Sequence, residues 1–502
     1  MLSFVKSAAK NSLIYGLGNV STKVVGFILL PLYTSHLSVR EYGILGLLEV
    51  SSQILVSVFG LSLTYAFFRW YWDKEYVEAR QSIMFTCMVC LFVVAACMVG
   101  LTIIFAKQLS LLLFDSQQYS LLVVLLSISA GMQILASIPS SLMQLQQRSV
   151  LFSVVNTIQL ITSLLATILF VATLDLNVLG IYIAQIIGSV VYFVLLSKFI
   201  IQNIAFIFSW RILKGMLLVS LPLVFSSISG VVINVADRYM LRYFNQLSDV
   251  GIYSLGYKIA NTVYVFVVMS LNLAIAPMLY KIMDDPNNKR VYSKVMTYAA
   301  LGVMLCVIGI SFISRGAIKL LAQNADYWDS YKIVPFIALA IYFGMLRDVS
   351  AIGLNLTKKT KVISLIVVTV SITNIVANVI FIPLWQTLGA SISALLSQFL
   401  FFILMYIFAQ RQYYIPYEWK KILFISIFGI IIIGLGLIVQ EAPFTISLLL
   451  KFLLVVSFPL ILYFFNYFEA IEIERLHGAW IKWNNPLHWK KNIHELFHKS
   501  SV

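Results

Sequence analysis

Charged residues are what this sequence lacks most. Asp, Glu, Lys and Arg supply 11% of its 502 residues, against about 25% in soluble domains. Hydrophobic residues supply 61%, and the mean hydropathy is +0.94. This composition excludes an ordinary soluble protein and predicts a polytopic membrane protein.

Cysteine is also scarce, and its four copies all lie in apolar segments (Cys87, Cys90, Cys97 and Cys306). Cys87 and Cys90 have the spacing of a metal-ligand pair, but no second pair and no histidine accompanies them. Apolar filling therefore explains them better than metal binding. We expect no metal site and no cofactor.

Long polar loops are missing as well. The longest predicted outward loop runs only from Arg315 to Lys332, which leaves no room for a folded catalytic module. We therefore expect a protein that is not an enzyme and whose function resides in its membrane helices. The net charge of +15 does not indicate nucleic acid, because the basic residues are not gathered on one domain or face.

Fourteen apolar segments are long enough to cross about 30 Å of hydrocarbon. They lack the period-two alternation of a barrel and must satisfy their own backbone hydrogen bonds, so the sequence predicts an all-α fold. The predicted spans are 11–37, 42–70, 82–106, 119–144, 150–174, 178–201, 216–244, 250–280, 295–314, 333–356, 362–384, 390–408, 422–439 and 444–468.

The distribution of basic residues predicts the orientation. Of the 35 Lys and Arg residues, 24 fall on the side that holds both termini, five fall on the other side and the rest lie within spans. Because cytoplasmic loops carry the excess of Lys and Arg, we expect both termini to be cytoplasmic in a multi-pass protein of the cytoplasmic (inner) membrane.

A short repeat divides the chain. Leu37-Ser38 and Glu41-Tyr42-Gly43-Ile44 match Leu247-Ser248 and Asp249-Val250-Gly251-Ile252, as in transporters built from two related halves. We predict a first lobe of spans 1 to 6 (1–201), a cytoplasmic linker (202–215), a second lobe of spans 7 to 12 (216–412), two appended spans (413–468) and a basic amphipathic tail (469–502). Tryptophans among the basic residues of the tail predict an interfacial helix on the cytoplasmic leaflet.

Two longer stretches carry a family resemblance. Residues 11–50 read NSLIYGLGNVSTKVVGFILLPLYTSHLSVREYGILGLLEV, and residues 236–260 read ADRYMLRYFNQLSDVGIYSLGYKIA. With a six-plus-six-plus-two pattern of helices, the chain resembles the polysaccharide transporter family. These are the Wzx-type lipid-linked oligosaccharide flippases of the multidrug/oligosaccharidyl-lipid/polysaccharide exporter superfamily. The resemblance covers nearly the whole chain, but no short motif is diagnostic of a substrate.

The resemblance implies two lobes that alternate between inward-open and outward-open states around a cationic cavity. Such proteins move an undecaprenyl-diphosphate-linked oligosaccharide, such as an O-antigen, capsule or exopolysaccharide repeat unit, from the cytoplasmic to the periplasmic or outer leaflet. The resemblance is also compatible with coupling to a proton or sodium gradient. The implied partners are this lipid-linked substrate, membrane lipids and the polymerase and glycosyltransferases of the same pathway.

Four charges lie within the seventh and eighth spans (Asp237, Arg238, Arg242 and Lys258). A charge at the bilayer centre costs about 2.5–3.5 kcal/mol on an insertion scale, so such residues usually mark a pathway or a ligand site. Asp237 and Lys258 both lie roughly 15 Å below the turn between the spans. They are expected to form a structural ion pair across the hairpin or to exchange partners with an anion.

Arg238 and Arg242 are spaced i,i+4 and share one face of a helix, where like charges repel each other. Their planar guanidinium groups suit a diphosphate, which makes the pair the best candidate for binding the lipid diphosphate. The alternative is that Arg242, close to the turn, snorkels to the outer surface.

Four further charges and one proline complete the candidates. Lys23 lies near mid-membrane, and either joins Glu49 by snorkelling or lines the substrate path opposite Arg238. Arg347 and Asp348 are adjacent and so point to different faces, which predicts that they do not simply cancel each other. The candidate cavity cations are thus Lys23, Arg238, Arg242, Lys258 and Arg347, with Glu49, Asp237 and Asp348 as charge partners or ion-coupling groups and Pro31 as a hinge.

We interpret the chain as a flippase for a polyprenyl-diphosphate-linked oligosaccharide. One alternative is a multidrug or small-molecule exporter of the same superfamily, but its cavity should be acidic or aromatic, whereas the charges within these spans are mainly basic. Another is a membrane glycan polymerase or glycosyltransferase, which usually needs a sizeable outward loop with catalytic residues.

Overall fold

The computed structural model describes residues 26–272, 282–439 and 443–465, together with positions 275, 279, 467 and 474. Within these residues the chain is mostly helical and contains no strand. The α-helices are α1 (Leu30–His36), α2 (Val39–Phe59), α3 (Leu63–Trp72), α4 (Arg80–Ile104), α5 (Ala106–Phe114), α6 (Ser120–Leu145), α7 (Ser149–Ile168), α8 (Asn177–Asn203), α9 (Trp210–Phe244), α10 (Leu247–Val263), α11 (Asn288–Leu321), α12 (Val334–Ser350), α13 (Ile352–Leu356), α14 (Thr360–Gln412), α15 (Trp419–Val439) and α16 (Phe444–Phe464). Short 3-10 turns cover Lys74–Tyr76, Gln117–Tyr119 and Ala325–Ile333, and π-helical turns extend α7 (Leu169–Thr173) and α10 (Tyr264–Val268).

Twelve of the described helical stretches are long and apolar enough to cross a membrane. One of them, α14, has 53 residues and breaks at Gln386, where the backbone leaves the helical region (φ 51°, ψ −125°). It therefore accounts for the eleventh and twelfth predicted spans. The first predicted span (11–37) lies largely outside the described residues. The all-α, polytopic fold with about fourteen spans is confirmed.

The predicted linker 202–215 is partly helical. α8 continues to Asn203 and α9 begins at Trp210, so only residues 204–209 lack helical structure. The hydroxyl of Ser209 caps α9 by accepting a hydrogen bond from the backbone N–H of Ile212 (3.4 Å). The helix of the seventh span therefore begins before residue 216, because Arg211 and Lys214 interrupt the apolar pattern in its first two turns.

α2 and α10 begin with the same local structure. The Ser38 hydroxyl accepts a hydrogen bond from the Glu41 N–H (3.2 Å), and the Glu41 carboxylate accepts one from the Ser38 N–H (2.9 Å). Gln246 and Asp249 form the corresponding capping box of α10. Such boxes satisfy backbone donors at a helix start.

These two helix starts fix the register of the repeat. Aligning Ser38 with Gln246 and Glu41 with Asp249 also aligns Gly43 with Gly251. The acid-x-Gly-Ile part of the sequence match therefore keeps the structural register. The Leu-Ser part of the match does not, since Ser38 is equivalent to Gln246 and not to Ser248.

α2 and α10 pack directly on one another at Gly43 and Gly251. A Cβ at Gly43 would overlap the carbonyl oxygen of Leu247, and a Cβ at Gly251 would overlap that of Val39. Val39 and Leu247 are themselves equivalent in the repeat, so the contact has local two-fold symmetry. Glycine permits this backbone approach because it has no side chain. We call the contact between Gly43 and Gly251 the glycine crossing.

The chain divides into two compact units, Met1–Tyr417 and Glu418–Val502. In the first unit, one buried apolar cluster draws on residues between 63 and 216, and another draws on residues between 233 and 409. The first cluster includes Ile212 of the predicted linker and Met216 of the predicted second lobe, and the lobe boundaries stay a prediction. The second unit contains α15 and α16.

Candidate functional site

A cavity of about 410 Å³, here called the central cavity, lies among α2, α6, α8, α9 and α10. Along α2 and α10 its lining residues follow the glycine crossing in sequence. Three of the predicted charges, Glu49, Arg238 and Lys258, line it together. Its polar and aromatic lining includes Glu49, Ser52, Gln53, Gln133, Tyr182, Gln185, Arg238, Ser254, Tyr257, Lys258, Asn261 and Thr262.

Lys258 pairs with Glu49 across the contact between α10 and α2. The Nζ of Lys258 lies 3.3 Å from Oε1 of Glu49, and the two side chains are 27% and 44% exposed. The rings of Tyr33 and Tyr42 lie 5.9 and 5.8 Å from the same Nζ, where their faces favour a cation. The pair connects a helix of the predicted second lobe to one of the first.

Asp237 does not pair with Lys258, so the predicted ion pair across the hairpin is wrong. The Asp237 carboxylate accepts hydrogen bonds from the Tyr253 hydroxyl and the Arg238 backbone N–H. Its Oδ1 also lies 3.7 Å from Nη1 of Arg238. Equal depth along two helices does not determine the direction in which each side chain points. The side chain of Lys258 points towards α2 and not towards α9.

Arg238 is buried in the wall of the central cavity. Its Nη1 donates to the Asn234 carbonyl (3.1 Å), and its Nε donates to the Ser254 hydroxyl (3.4 Å). The guanidinium lies 4.4 Å from the ring centroid of Tyr257 and 5.5 Å from that of Tyr253. These contacts hold the planar group in place, while its Nη2 has no hydrogen-bond acceptor within the described part of the chain.

Arg242 lies outside the central cavity, in a separate pocket of about 360 Å³ with Arg40 and Asp115. Its Nη2 donates to the Asp115 carboxylate, and its Nε donates to the Leu113 carbonyl (3.0 Å) near the C-terminus of α5. A helix C-terminus attracts a cation. The structure thus separates Arg242 from Arg238, and the prediction of a shared arginine site is wrong although both share one helix face.

Arg347 and Asp348 pair with each other, contrary to the prediction. The Arg347 Nη2 and Nε lie 2.6 and 3.0 Å from Oδ1 of Asp348, because a long side chain can fold back over its neighbour. Nη1 donates to Gln398 (3.1 Å), and Asn272 donates to Asp348 (3.4 Å). The pair lines another pocket, of about 370 Å³, so Arg347 is not a cation of the central cavity.

Other predicted features lie partly outside the described residues. Lys23 and nearly all of the tail 469–502 fall there. Pro31 stands at the start of α1, directly after a break in the helical structure at Leu29. Leu29 keeps right-handed helical dihedrals (φ −74°, ψ −7°), and the role of Pro31 as a hinge stays a prediction.

The cysteines occupy apolar surroundings. Cys87 is buried, and its thiol donates to the Met216 sulfur (3.7 Å) within the first apolar cluster. All four thiols are free. In the portion of the chain that the structure describes, no three His, Cys, Asp or Glu side chains are grouped to hold a metal ion.

Sequence reasoning missed the aromatic and amide residues of the site. Tyr253 and Tyr257 are spaced i,i+4 on α10, so they share a helix face. This spacing could have indicated that both rings lie beside the same neighbouring side chain. Gln133 and Gln185 carried no comparable signal, because an isolated glutamine in an apolar helix has many roles. Asp115 lies beyond the end of α5 in a turn, and only folding brings it to Arg242.

Solved structures with the same fold are transport proteins. "Lipid II flippase MurJ, inward closed conformation" matches with a TM-score of 0.71 and 16% identity, covering 90% of this chain and 99% of that one. An inward-facing multidrug resistance MATE family transporter of the MOP superfamily matches with a TM-score of 0.63 and 12% identity, covering 78% and 94%. The Vibrio cholerae MATE transporter VcmN in the bent form matches with a TM-score of 0.55 and 15% identity, covering 82% and 97%. At these identities the likeness shows the fold alone.

Sequence comparison gives the family. No curated protein matches this chain, but residues 8–283 match the family described as "Polysaccharide biosynthesis protein". The match spans more than half of the chain and includes both stretches on which the resemblance was based. The chain therefore belongs to the polysaccharide biosynthesis protein family, as its sequence predicts.

Proposed function

We propose that the protein is a flippase that moves a polyprenyl-diphosphate-linked oligosaccharide across the cytoplasmic membrane. The observation that carries this proposal is the presence of Arg238 and Lys258 in the wall of one cavity between α2 and α10. Arg238 is buried and Lys258 is partly exposed, and cations within membrane helices need anionic partners. Glu49 pairs with Lys258 and Asp237 lies 3.7 Å from Arg238, but Nη2 of Arg238 has no acceptor among the described residues, so a hydrogen-bond donor remains for an anionic ligand.

The two cations offer complementary contacts to a diphosphate. The Arg238 guanidinium lies 4.4 Å from the ring centroid of Tyr257 and is a planar donor group, which suits paired phosphate oxygens. Lys258 is a compact charge with rotatable donors, shared at rest with Glu49. An incoming diphosphate competes with Glu49 for Lys258, and binding then loosens the bridge between α2 and α10.

Alternating access provides the transport step in this proposal. The glycine crossing lies at the end of the cavity nearest the turns that the distribution of Lys and Arg assigns to the outside. In that orientation, with both termini cytoplasmic, the conformation is closed to the outside. Release of Glu49 from Lys258 weakens a contact between the two predicted lobes and favours the outward-open state, in which the head group leaves while the lipid tail stays in the bilayer.

Energy coupling and partners belong to the same proposal. A proton or sodium gradient resets the transporter through one of its membrane carboxylates, with Glu49, Asp237 and Asp348 as the candidates. The repeat unit comes from glycosyltransferases on the cytoplasmic side and passes to a polymerase on the other. The cavity itself takes no part in bond chemistry.

The test uses the full chain in lipid vesicles. A polyprenyl-diphosphate-linked disaccharide is placed in the vesicles, and its exposure to a membrane-impermeant glycosidase is followed over time. We expect Arg238→Gln and Lys258→Gln to slow exposure at least about tenfold, since a charge-assisted contact contributes about 1.5–3 kcal/mol. Arg242→Gln is the matched control and should change the rate less than about threefold.

Three outcomes would overturn the proposal. If the wild-type protein moves organic cations but not the diphosphate-linked sugar, the chain is a drug exporter. If Arg238→Gln and Lys258→Gln move the lipid-linked sugar at the wild-type rate, the cavity cations do not bind it. Turnover of the sugar without translocation would indicate an enzyme.

A further inference from the structure

The central cavity also contains four amide side chains that the diphosphate does not use (Gln53, Gln133, Gln185 and Asn261). Here they are called the cavity amides. The side chains of Gln53, Gln133 and Asn261 have no hydrogen-bond partner among the residues that the structure describes. Gln185 has one, because the Ser129 hydroxyl donates to its Oε1 (3.2 Å), which leaves its amide N–H groups free.

Some amides outside the cavity bond to protein groups, although the buried oxygens of Gln146, Asn245 and Asn378 have no partner among the described residues. Gln146 donates to the Asn203 side chain (2.8 Å). Gln410 both donates to the Ile415 carbonyl (2.7 Å) and accepts from its N–H (2.8 Å). Gln53 and Gln133 are exposed and Gln185 and Asn261 are half-buried, so the open donors and acceptors of the cavity amides are accessible to a ligand in the cavity.

The cavity amides have a regular placement. Gln53 on α2 and Asn261 on α10 are equivalent in the repeat, each ten residues beyond its glycine of the crossing. That distance is about 15 Å along a helix, farther from the crossing than Glu49 and Lys258. Gln133 and Gln185 come from α6 and α8, whose described lining residues carry no charge.

We propose that the cavity amides bind the glycan through its hydroxyl groups, and that the sugar seated on α6 and α8 is uncharged. This inference rests on the proposed function and adds the chemical class of the sugar. An amide offers both donors and an acceptor, which matches a hydroxyl group that is itself donor and acceptor. A carboxylate on the sugar would meet no cation among the described lining residues of α6 and α8, and would lose its water without compensation.

The Ser129 contact gives Gln185 a defined role within this site. Because Oε1 accepts from Ser129, the amide nitrogen is the group presented for binding, and it donates to a sugar oxygen. Ser129 is therefore a positioning residue. Its loss should weaken sugar binding without changing binding of a diphosphate that carries no sugar.

The experiment compares three carriers on the full chain in nanodiscs. The probes are undecaprenyl diphosphate, the same lipid bearing an uncharged hexose, and the same lipid bearing a hexuronic acid. We expect the hexose carrier to bind about tenfold more tightly than the other two, the effect of one or two additional hydrogen bonds. The double variant Gln133→Leu/Gln185→Leu should remove this preference and leave the sugarless carrier unaffected.

Controls separate the possible failures. Gln159→Leu, on α7 outside the lining, should keep the preference, and Ser129→Ala should reduce it. Equal binding of all three carriers by the wild-type protein would overturn this inference but not the proposed function. A preference that survives in the double variant would do the same. Failure to bind any of the three would instead overturn the proposed function. The comparison of carriers on the wild-type protein decides the matter even if the double variant does not fold.

Discussion

Lys258 and Glu49 form an ion pair between helices that lie far apart in sequence. The Nζ of Lys258 is 3.3 Å from Oε1 of Glu49, and the pair lies between the glycine crossing and the cavity amides. Because both side chains are partly exposed, water and a ligand can reach them. The pair is thus placed to respond to an anion in the cavity and to affect the contact between α2 and α10.

Charge reversal tests this pair. Glu49→Lys and Lys258→Glu each place like charges together, and each should reduce transport of the diphosphate-linked sugar at least about tenfold. The double reversal restores attraction and keeps a cation in the cavity, so its rate should return to within about threefold of wild type. Thermal unfolding of the four proteins should give a coupling of about 0.5–1 kcal/mol, as is usual for partly exposed pairs. A double variant no better than either single one would contradict the pairing.

The ring of Tyr257 supports the Arg238 guanidinium at 4.4 Å. Tyr257→Leu removes a cation–π contact of about 1 kcal/mol, and we expect roughly fivefold weaker binding of undecaprenyl diphosphate in a titration. Tyr257→Phe keeps the ring and should change affinity less than about twofold. If Phe and Leu weaken binding equally, the hydroxyl group and not the ring face is what matters.

The glycine crossing predicts a conformational effect. Gly251→Val inserts side-chain atoms against the Val39 carbonyl, so the closed contact cannot form. With the four native cysteines replaced by Ala and Asn261→Cys introduced, a membrane-impermeant maleimide should label the outer side several-fold faster in this variant, and transport should fall.

Gly302→Val is the matched control for that variant. A Cβ at Gly302 meets no atom within 4 Å, so labelling and transport should stay near wild type. Slow outer labelling in Gly251→Val, equal to that of the control, would show that the crossing does not close the cavity.

The pair of Arg347 and Asp348 predicts an effect on stability. The two side chains are 22% and 30% exposed, so removing one partner should cost less than the 3–5 kcal/mol typical of fully buried pairs. We expect about 1–2 kcal/mol for Arg347→Met or Asp348→Asn, and a smaller loss for the double variant than for the two singles added. Thermal unfolding in detergent measures this, and strict additivity would rule out the pairing.

Much of the architecture follows from the sequence because lipid imposes simple rules. Runs of about 20 apolar residues predict helices, and α4, α6 and α8 follow the expected spans closely. Differences arise where polar residues join a helix, as Arg211 does at the start of α9. They also arise where two helices continue through a tight turn, as at Gln386 in α14.

The site was harder to predict because charge pairing depends on side-chain direction. The apolar pattern correctly placed Arg238 and Lys258 within helices long and apolar enough to span a membrane, but it did not predict which neighbour each would contact. Lys258 pairs with Glu49, and Arg242 pairs with Asp115. Asp115 lies in a turn, and no periodic pattern in the sequence relates it to α9. Arg347 reached its adjacent Asp348, which helical geometry alone does not suggest, because four rotatable bonds outweigh a 100° difference in direction.

In the proposed transport cycle, the glycine crossing separates the atoms that close the protein to the outside from those that bind the substrate. The seal is formed by main-chain atoms of α2 and α10 and depends on the absence of side chains at Gly43 and Gly251. The cavity lining depends on side chains farther along the same helices. Under this proposal, substitutions at Gln53 or Asn261 alter which glycan is accepted while the contact at the glycine crossing is unchanged, so that the same closing contact can serve transporters for chemically different sugars.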